Sequence, residues 1–382
     1  MPLTRHLYEI DEVVSALQIG LRKEEGLFWL WELVVSGETE LAKQTLIDLW
    51  TLNCGGYDSA LLLDPPSVES YCRICTANPL QTVVDLLRLT AIMPSRPSLT
   101  PLPASPAAAD RRKTRSAAFV ASITAATDLT DSELADFWIS FDSACRQGST
   151  VDAIWLLQAA QHLSEETLWS AIEIAVRGPA TTKEIITVLR TQAKQKTKTH
   201  PSLLYLAAAT MMLCIPSEKR SAPTAVDTSV AEGRWATWNS KIGRREARAY
   251  AIPADALHAG TTRGQMPFKY TNIGDVREPV GLLSEGCRFW QEALEKHGIV
   301  VDAETGATAF PSDDVLERFY ECHFPDDIPD EWSKRDQEKS HGRGCQETAT
   351  SPPTIIVREI PVERREWKFA ITVRPDKKLK AA

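Results

Sequence analysis

The chain has 382 residues, 43% of them apolar, with 11 Trp and a formal net charge of −8. That length exceeds one ordinary core and implies two or three domains, and the apolar share excludes wholesale disorder. The acidic balance excludes bulk attraction to phosphate backbones, so any nucleic-acid contact has to come from a local patch.

Residues 1–93 read as a helical domain. Val13, Val14, Leu17, Ile19 and Leu21 fall on one broad face of a first helix. Residues 26–35 are apolar nearly all round, which predicts a helix buried on several sides. Ser36-Gly37 breaks it, and Thr39 is placed to cap the next helix, which Gly55-Gly56 ends. Two shorter helices fit residues 68–77 and 80–92. Within this domain Gln44, Ile47 and Trp50 partly match a sliding-clamp-binding peptide. The same residues are needed for the core face of their helix, and Thr51 stands where a second aromatic belongs.

Residues 94–116 carry five prolines among Ser, Ala and Thr and end in the basic run Arg111–Arg115. This stretch reads as a disordered linker whose basic end is solvated, with nuclear localisation or phosphate contact as the other options. A second helical domain follows over 117–215. Thr130 with Glu133, and Thr181 with Glu184, have capping-box spacing, and Ser164 before Glu165 and Glu166 is a third helix start. Residues 24–50 and 150–176 share a pattern: an apolar helix with an early Trp (Trp29, Trp155), a polar break, then an amphipathic helix. A repeated helix pair implies stacked hairpins, which serve more often as surfaces than as reaction vessels.

A linker is expected over 216–231, and a mixed domain of helices and polar loops over 232–345. A helix expected over Trp235–Tyr250 sets Lys241, Arg244, Arg245 and Arg248 on one face, with Trp235, Trp238, Ile242 and Ala249 on the next. These cations, with Arg263 in a nearby turn, are the candidate contacts to nucleic acid or to an acidic partner. The other reading is self-neutralisation against the acidic stretches around Asp313 and Asp326. In the tail, 346–382, Trp367, Phe369, Ile371 and Val373 alternate with polar residues, and together with residues 354–362 they predict a terminal β-hairpin. The fold class expected is therefore mainly α, with helical-hairpin repeat blocks, a mixed C-terminal domain and that hairpin.

Chemical motifs are sparse. The eight Cys are scattered, as expected of reduced thiols in an intracellular protein. Cys72 and Cys75 have CxxC spacing without a second pair, and Cys322-His323 with His341 and Cys345 supplies four candidate zinc ligands. No nucleophile elbow, phosphate-binding glycine loop or dinucleotide fingerprint is present, so no catalytic residue, metal or cofactor is assigned. The start has no signal-peptide core, and the uncharged run Leu203–Ile215 falls short of the roughly 18 residues that span a bilayer. A soluble, intracellular protein is expected, with no membrane contact.

Residues 13–23 followed by 26–38 resemble the helical collar of clamp-loader-like replication-associated recombination ATPases. The resemblance implies a helical interaction or oligomerisation module. It does not imply ATP hydrolysis, because the residues for it are absent. Residues 245–253, 262–264, 283–290 and 327–344 resemble uncharacterised proteins of large DNA viruses. The function expected is a non-enzymatic interaction or scaffold protein associated with DNA replication, with a protein partner and oligomerisation open. The alternatives are a nucleic-acid-binding protein using the cationic stripe, and an enzyme or zinc-stabilised factor with its site in 240–345.

Overall fold

The computed structural model describes residues 3–6, 8, 10–21, 24–77, 79, 81–93, 106–122, 130–161, 163–195, 202–216, 226–242, 287–302 and 308–323. The protein is mainly helical, and the chain divides into two compact units. The first comprises Met1–Thr45, Pro66–Cys75 and Val226–Glu359, and the second Leu46–Pro65, Thr76–Ala225 and Ile360–Ala382.

In the first unit, α1 (Ile10–Ile19) packs against α2 (Glu24–Val35). The two helices meet where α1 ends and α2 begins, at a pair of glycines. A Cβ on Gly26 would lie 2.4 Å from the Gly20 carbonyl oxygen and 2.2 Å from the Tyr71 hydroxyl, so only hydrogen fits. The same hydroxyl donates to the Gly20 carbonyl at 3.4 Å. Because α2 is apolar on all sides, it is buried on all sides: Leu27, Phe28, Trp29, Leu30, Trp31 and Leu33 are 3% exposed or less. The start of α3 (Thr39–Asn53) follows, and α4 (Val68–Thr76) supplies Tyr71. Much later in the chain α12 (Ser229–Ser240) packs on α2, placing Trp238 against Phe28 and Trp31. α13 (Arg288–Lys296), a two-residue antiparallel pair of β1 (Val300–Val301) with β2 (Thr308–Ala309), and α14 (Asp313–His323) complete the described part.

The second unit is built round α11 (Ser202–Cys214). Its eleven buried residues run from Leu203 to Cys214, which is why the sequence there reads as a continuous apolar run. α11 packs against α5 (Val83–Ala91), α7 (Asp131–Gln147), α8 (Thr150–Ala159), α9 (Glu165–Ala175) and α10 (Ala180–Gln195). Inside this unit the Asp48 carboxylate, fully buried at the far end of α3, accepts from Tyr205 at 2.7 Å and Gln192 at 3.0 Å. Burial and the Asp48 charge raise the Tyr205 phenol far above its ordinary value. No described helix is long and apolar enough to cross a membrane.

Several expectations meet the structure directly. The Thr130–Glu133 capping box forms, and Ser164 caps α9 by accepting from the Thr167 N–H. Thr181 is not a cap. Gly178 (φ 104°) and Pro179 start α10 at Ala180, so Thr181 already lies inside it. A capping box that the sequence reading missed joins Thr82 to Asp85. The linker expected over 94–116 ends sooner, because α6 (Pro106–Ser122) runs through its basic end. The alanine-rich stretch favours helix, and burial of Ser116 and Phe119 anchors it.

The two Trp-bearing segments share a pattern but not an environment. Trp29 is fully buried against Tyr8 at 5.2 Å and Phe28 at 4.9 Å. Trp155 is half-buried and donates to the Met93 carbonyl at 3.5 Å. The main partners of α2 are α1 and α12, whereas those of α8 are α5, α7 and α11. The expected tail hairpin lies outside the described residues, and the strand pair at 300–309 was not expected from sequence.

Candidate functional site

A concentration of charge surrounds Asp142, a fully buried carboxylate in the second unit. α7 is fixed at its start by the Thr130–Glu133 box and at its end by Gly148 in the left-handed region (φ 70°). Asp142 sits in its C-terminal half, one turn before Arg146, and is fully buried. Arg146 Nε donates to Asp142 Oδ2 at 2.8 Å, and Arg177, just past α9, donates to Oδ1. Arg112 on α6 brings its Nε to 4.0 Å from Oδ2. Arg115 stands three residues further along α6, hence on the same face, and acts on Arg177 through space.

One carboxylate thus faces three guanidinium groups, with a fourth, that of Arg115, close enough to act on Arg177. The side chains of Arg112, Arg146 and Arg177 are 12%, 24% and 35% exposed, so water screens them incompletely. Arg112 Nε and Arg115 Nη1 are shielded from solvent and have no hydrogen-bond acceptor among the described residues. Burial first, then Arg146 and Arg115, pull Arg177 down to about 10 against the opposing pull of Asp142. Arg177 therefore remains charged at neutral pH, and the cluster keeps an excess of positive charge.

The Cys145 thiol, next to Arg146 in sequence, is buried and hydrogen-bonded with Cys214. That bond, followed by burial, holds the Cys145 thiol well above its ordinary value, so it is not a thiolate nucleophile.

The first unit holds a different polar centre. Glu32 on α2 is fully buried and accepts from the His6 backbone N–H at 3.0 Å through Oε1, while Oε2 lies 2.6 Å from His6 Nδ1. Burial would raise this carboxylate, but His6, by charge and hydrogen bonding, and the Thr4 hydroxyl outweigh it and hold Glu32 below its ordinary value. The imidazole stacks on Trp31 at 5.4 Å, and the Trp31 indole donates to Asn239 at 2.8 Å. Around it Cys287 N–H donates to the Leu3 carbonyl at 2.9 Å, and the Trp290 indole to the Thr4 carbonyl at 2.8 Å. Arg5 lies over the Phe289 ring at 4.2 Å. Glu32 and His6 thus pin the N-terminal strand-like segment into the core. Burial pushes the Cys287 thiol up to about 11, even though the Trp290 and Phe289 N–H groups favour its thiolate.

Lys241 is where the expected cationic stripe meets the structure. The helix starts at Ser229 rather than Trp235 and closes at Ser240, with Lys241 as its C-cap in a turn, so Trp235–Tyr250 is not one continuous helix. Trp238 is buried, as the apolar face required. Arg244, Arg245, Arg248 and Arg263 lie outside the described residues. Cys72 and Cys75 are both on α4, half-buried, and burial, then Cys75 and Glu232, raises Cys72 to about 11. Cys322 is exposed at the end of α14, while His341 and Cys345 lie outside the described residues. His323, half-buried among Phe289, Trp290, His297 and Phe319, is drawn down to about 4 by burial and by His297, Arg5 and Lys296. Among the described residues no group of three or more His, Cys, Asp or Glu could hold a metal ion. Ile47 and Trp50 are buried, and the Trp50 indole donates to the Tyr57 carbonyl at 2.8 Å, so these residues serve the core.

The arginine cluster was not foreseen as a site. Its only signal in sequence is Arg112 and Arg115 at helical spacing, one turn before Ser116 and Phe119 in an alanine-rich stretch. No family model, curated protein or solved structure matches this chain.

Proposed function

We propose that the chain is a helical interaction protein that carries out no chemical turnover of its own. The observation supporting this reading is how the three fully buried carboxylates among the described residues are used. Glu32 is tied to His6, Asp48 to Tyr205 and Gln192, and Asp142 to arginines of three segments. Each holds distant pieces of chain together, and none is paired with an activated thiol or hydroxyl, as nucleophilic catalysis requires. A link to DNA replication rests on the resemblance of residues 13–38 to a helical collar.

The test is reconstitution. The full chain is used to capture native partners, and a captured protein is then purified and mixed with it. A stoichiometric complex by light scattering supports the reading. Multiple turnover of any substrate by the purified chain, lost on replacing His6 or Cys287 while the fold persists, would sink it.

A further inference from the structure

The charge around Asp142 is larger than its structural task needs. One buried carboxylate is satisfied by one or two arginines, as Arg146 and Arg177 show by occupying both of its oxygens. Arg112 and Arg115 are extra. They are brought in on a separate helix, α6, which packs on α7 and α9, and they direct shielded donors into a place already positive. Cations that are partly withdrawn from water and not matched by anions destabilise a fold, so an arrangement of this kind calls for a second anion.

We propose that Arg112, Arg115, Arg146 and Arg177 form a binding site for one phosphomonoester dianion. Three features narrow the ligand. Arg112 from α6, Arg146 from α7 and Arg177 just past α9 converge on one carboxylate, and Arg115 lies near enough to act on Arg177, so the charge is concentrated at a point and not spread along a face as on a groove for nucleic-acid backbone. The excess is three positive charges, which a dianion neutralises better than a phosphodiester carrying one. Guanidinium forks match the oxygens of a tetrahedral phosphate, whereas Asp142 would repel a ligand that crowded it. Asp142 thus orients two arginines and sets an upper limit on affinity. This site stands independently of whether the chain acts as a scaffold.

The experiment is calorimetric titration of the full chain with inorganic phosphate and with a nucleoside 5′-monophosphate, in chloride buffers of matched ionic strength. One saturable site per chain is expected. Arg115→Gln removes a cation that makes no bond to Asp142, so the fold should survive while affinity falls about tenfold. Asp142→Asn removes the competing negative charge and should tighten binding where the variant folds. Equal affinity for the two probes assigns recognition to the phosphate group alone, and tighter binding of the nucleotide assigns it to a larger ligand bearing that group; both support the site. The proposal is overturned if phosphate behaves as chloride does, or if Arg115→Gln binds like the parent. It is also overturned if only an oligonucleotide binds, with a salt dependence reporting several phosphates and no competition by free phosphate.

Discussion

The two units solve the same problem, a charge buried in a helical core, in opposite ways. In the first, Glu32 meets a single ring, His6, together with hydrogen bonds from the His6 backbone and Thr4, so no cation is in surplus, and only His6 Nε2 stays buried without a partner among the described residues of this centre. In the second, Asp142 is outnumbered by arginines, and charge is left over. A balanced centre fastens a chain segment, whereas an unbalanced one is poised to take something in. The contrast separates the structural residues of this protein from its candidate binding residues without any motif to guide the choice.

The largest effect should come from breaking the balanced centre. Glu32→Ala strands His6 in an apolar setting and should lower stability by about 3–5 kcal/mol, the usual cost of removing one partner of a buried pair. Urea unfolding measures the loss, and hydrogen exchange should locate it in the first unit; protection lost equally in both units would contradict that assignment. Gly26→Ala attacks the same unit through packing alone. With a carbonyl oxygen 2.4 Å from the new carbon, a loss of about 3 kcal/mol is expected by the same measurement.

Acid should separate the units next. The folded-state value of His323, about 4, lies below its ordinary 6.5, so its contribution to stability is fully present above pH 6.5 and is lost as pH falls toward 4. Glu32, also lowered, adds a loss below its ordinary value of 4.5. A melting series from pH 7 to 5 should therefore show the first unit weakening while the His323→Phe variant stays nearly flat. An unchanged slope in the variant would remove His323 from the explanation. The smallest effect sharpens the comparison from the other side. Without a phosphate ligand, Arg115→Gln should alter the stability of the second unit by no more than about 0.5 kcal/mol, because it takes one cation from a surplus.

How much of this the sequence reveals depends on the range of the interaction. The almost wholly buried α11, the apolar α2 and the Thr130–Glu133 cap were legible, because periodicity and capping act within a few residues. The start of α10 was misread because the Gly178-Pro179 break outranked the hydroxyl at Thr181. The strand pair at 300–309 was invisible, since two residues per strand carry no alternation. Arg112 and Arg115 were read as part of the solvated end of a linker for the same reason of range. Arg112 and Arg177 find Asp142 across 30 and 35 positions of chain, and no local pattern records that meeting.

The discontinuity of the first unit sets an order of events during synthesis. Cys287 N–H meets the Leu3 carbonyl, and the Trp290 indole meets the Thr4 carbonyl 286 positions earlier. A ribosome releases the N-terminal segment long before these clamps exist, whereas every described residue of the second unit has been translated by Pro216. The second unit can therefore mature first, and the nascent chain must keep α2, with its paired tryptophans, out of wrong associations until α12 and α13 emerge.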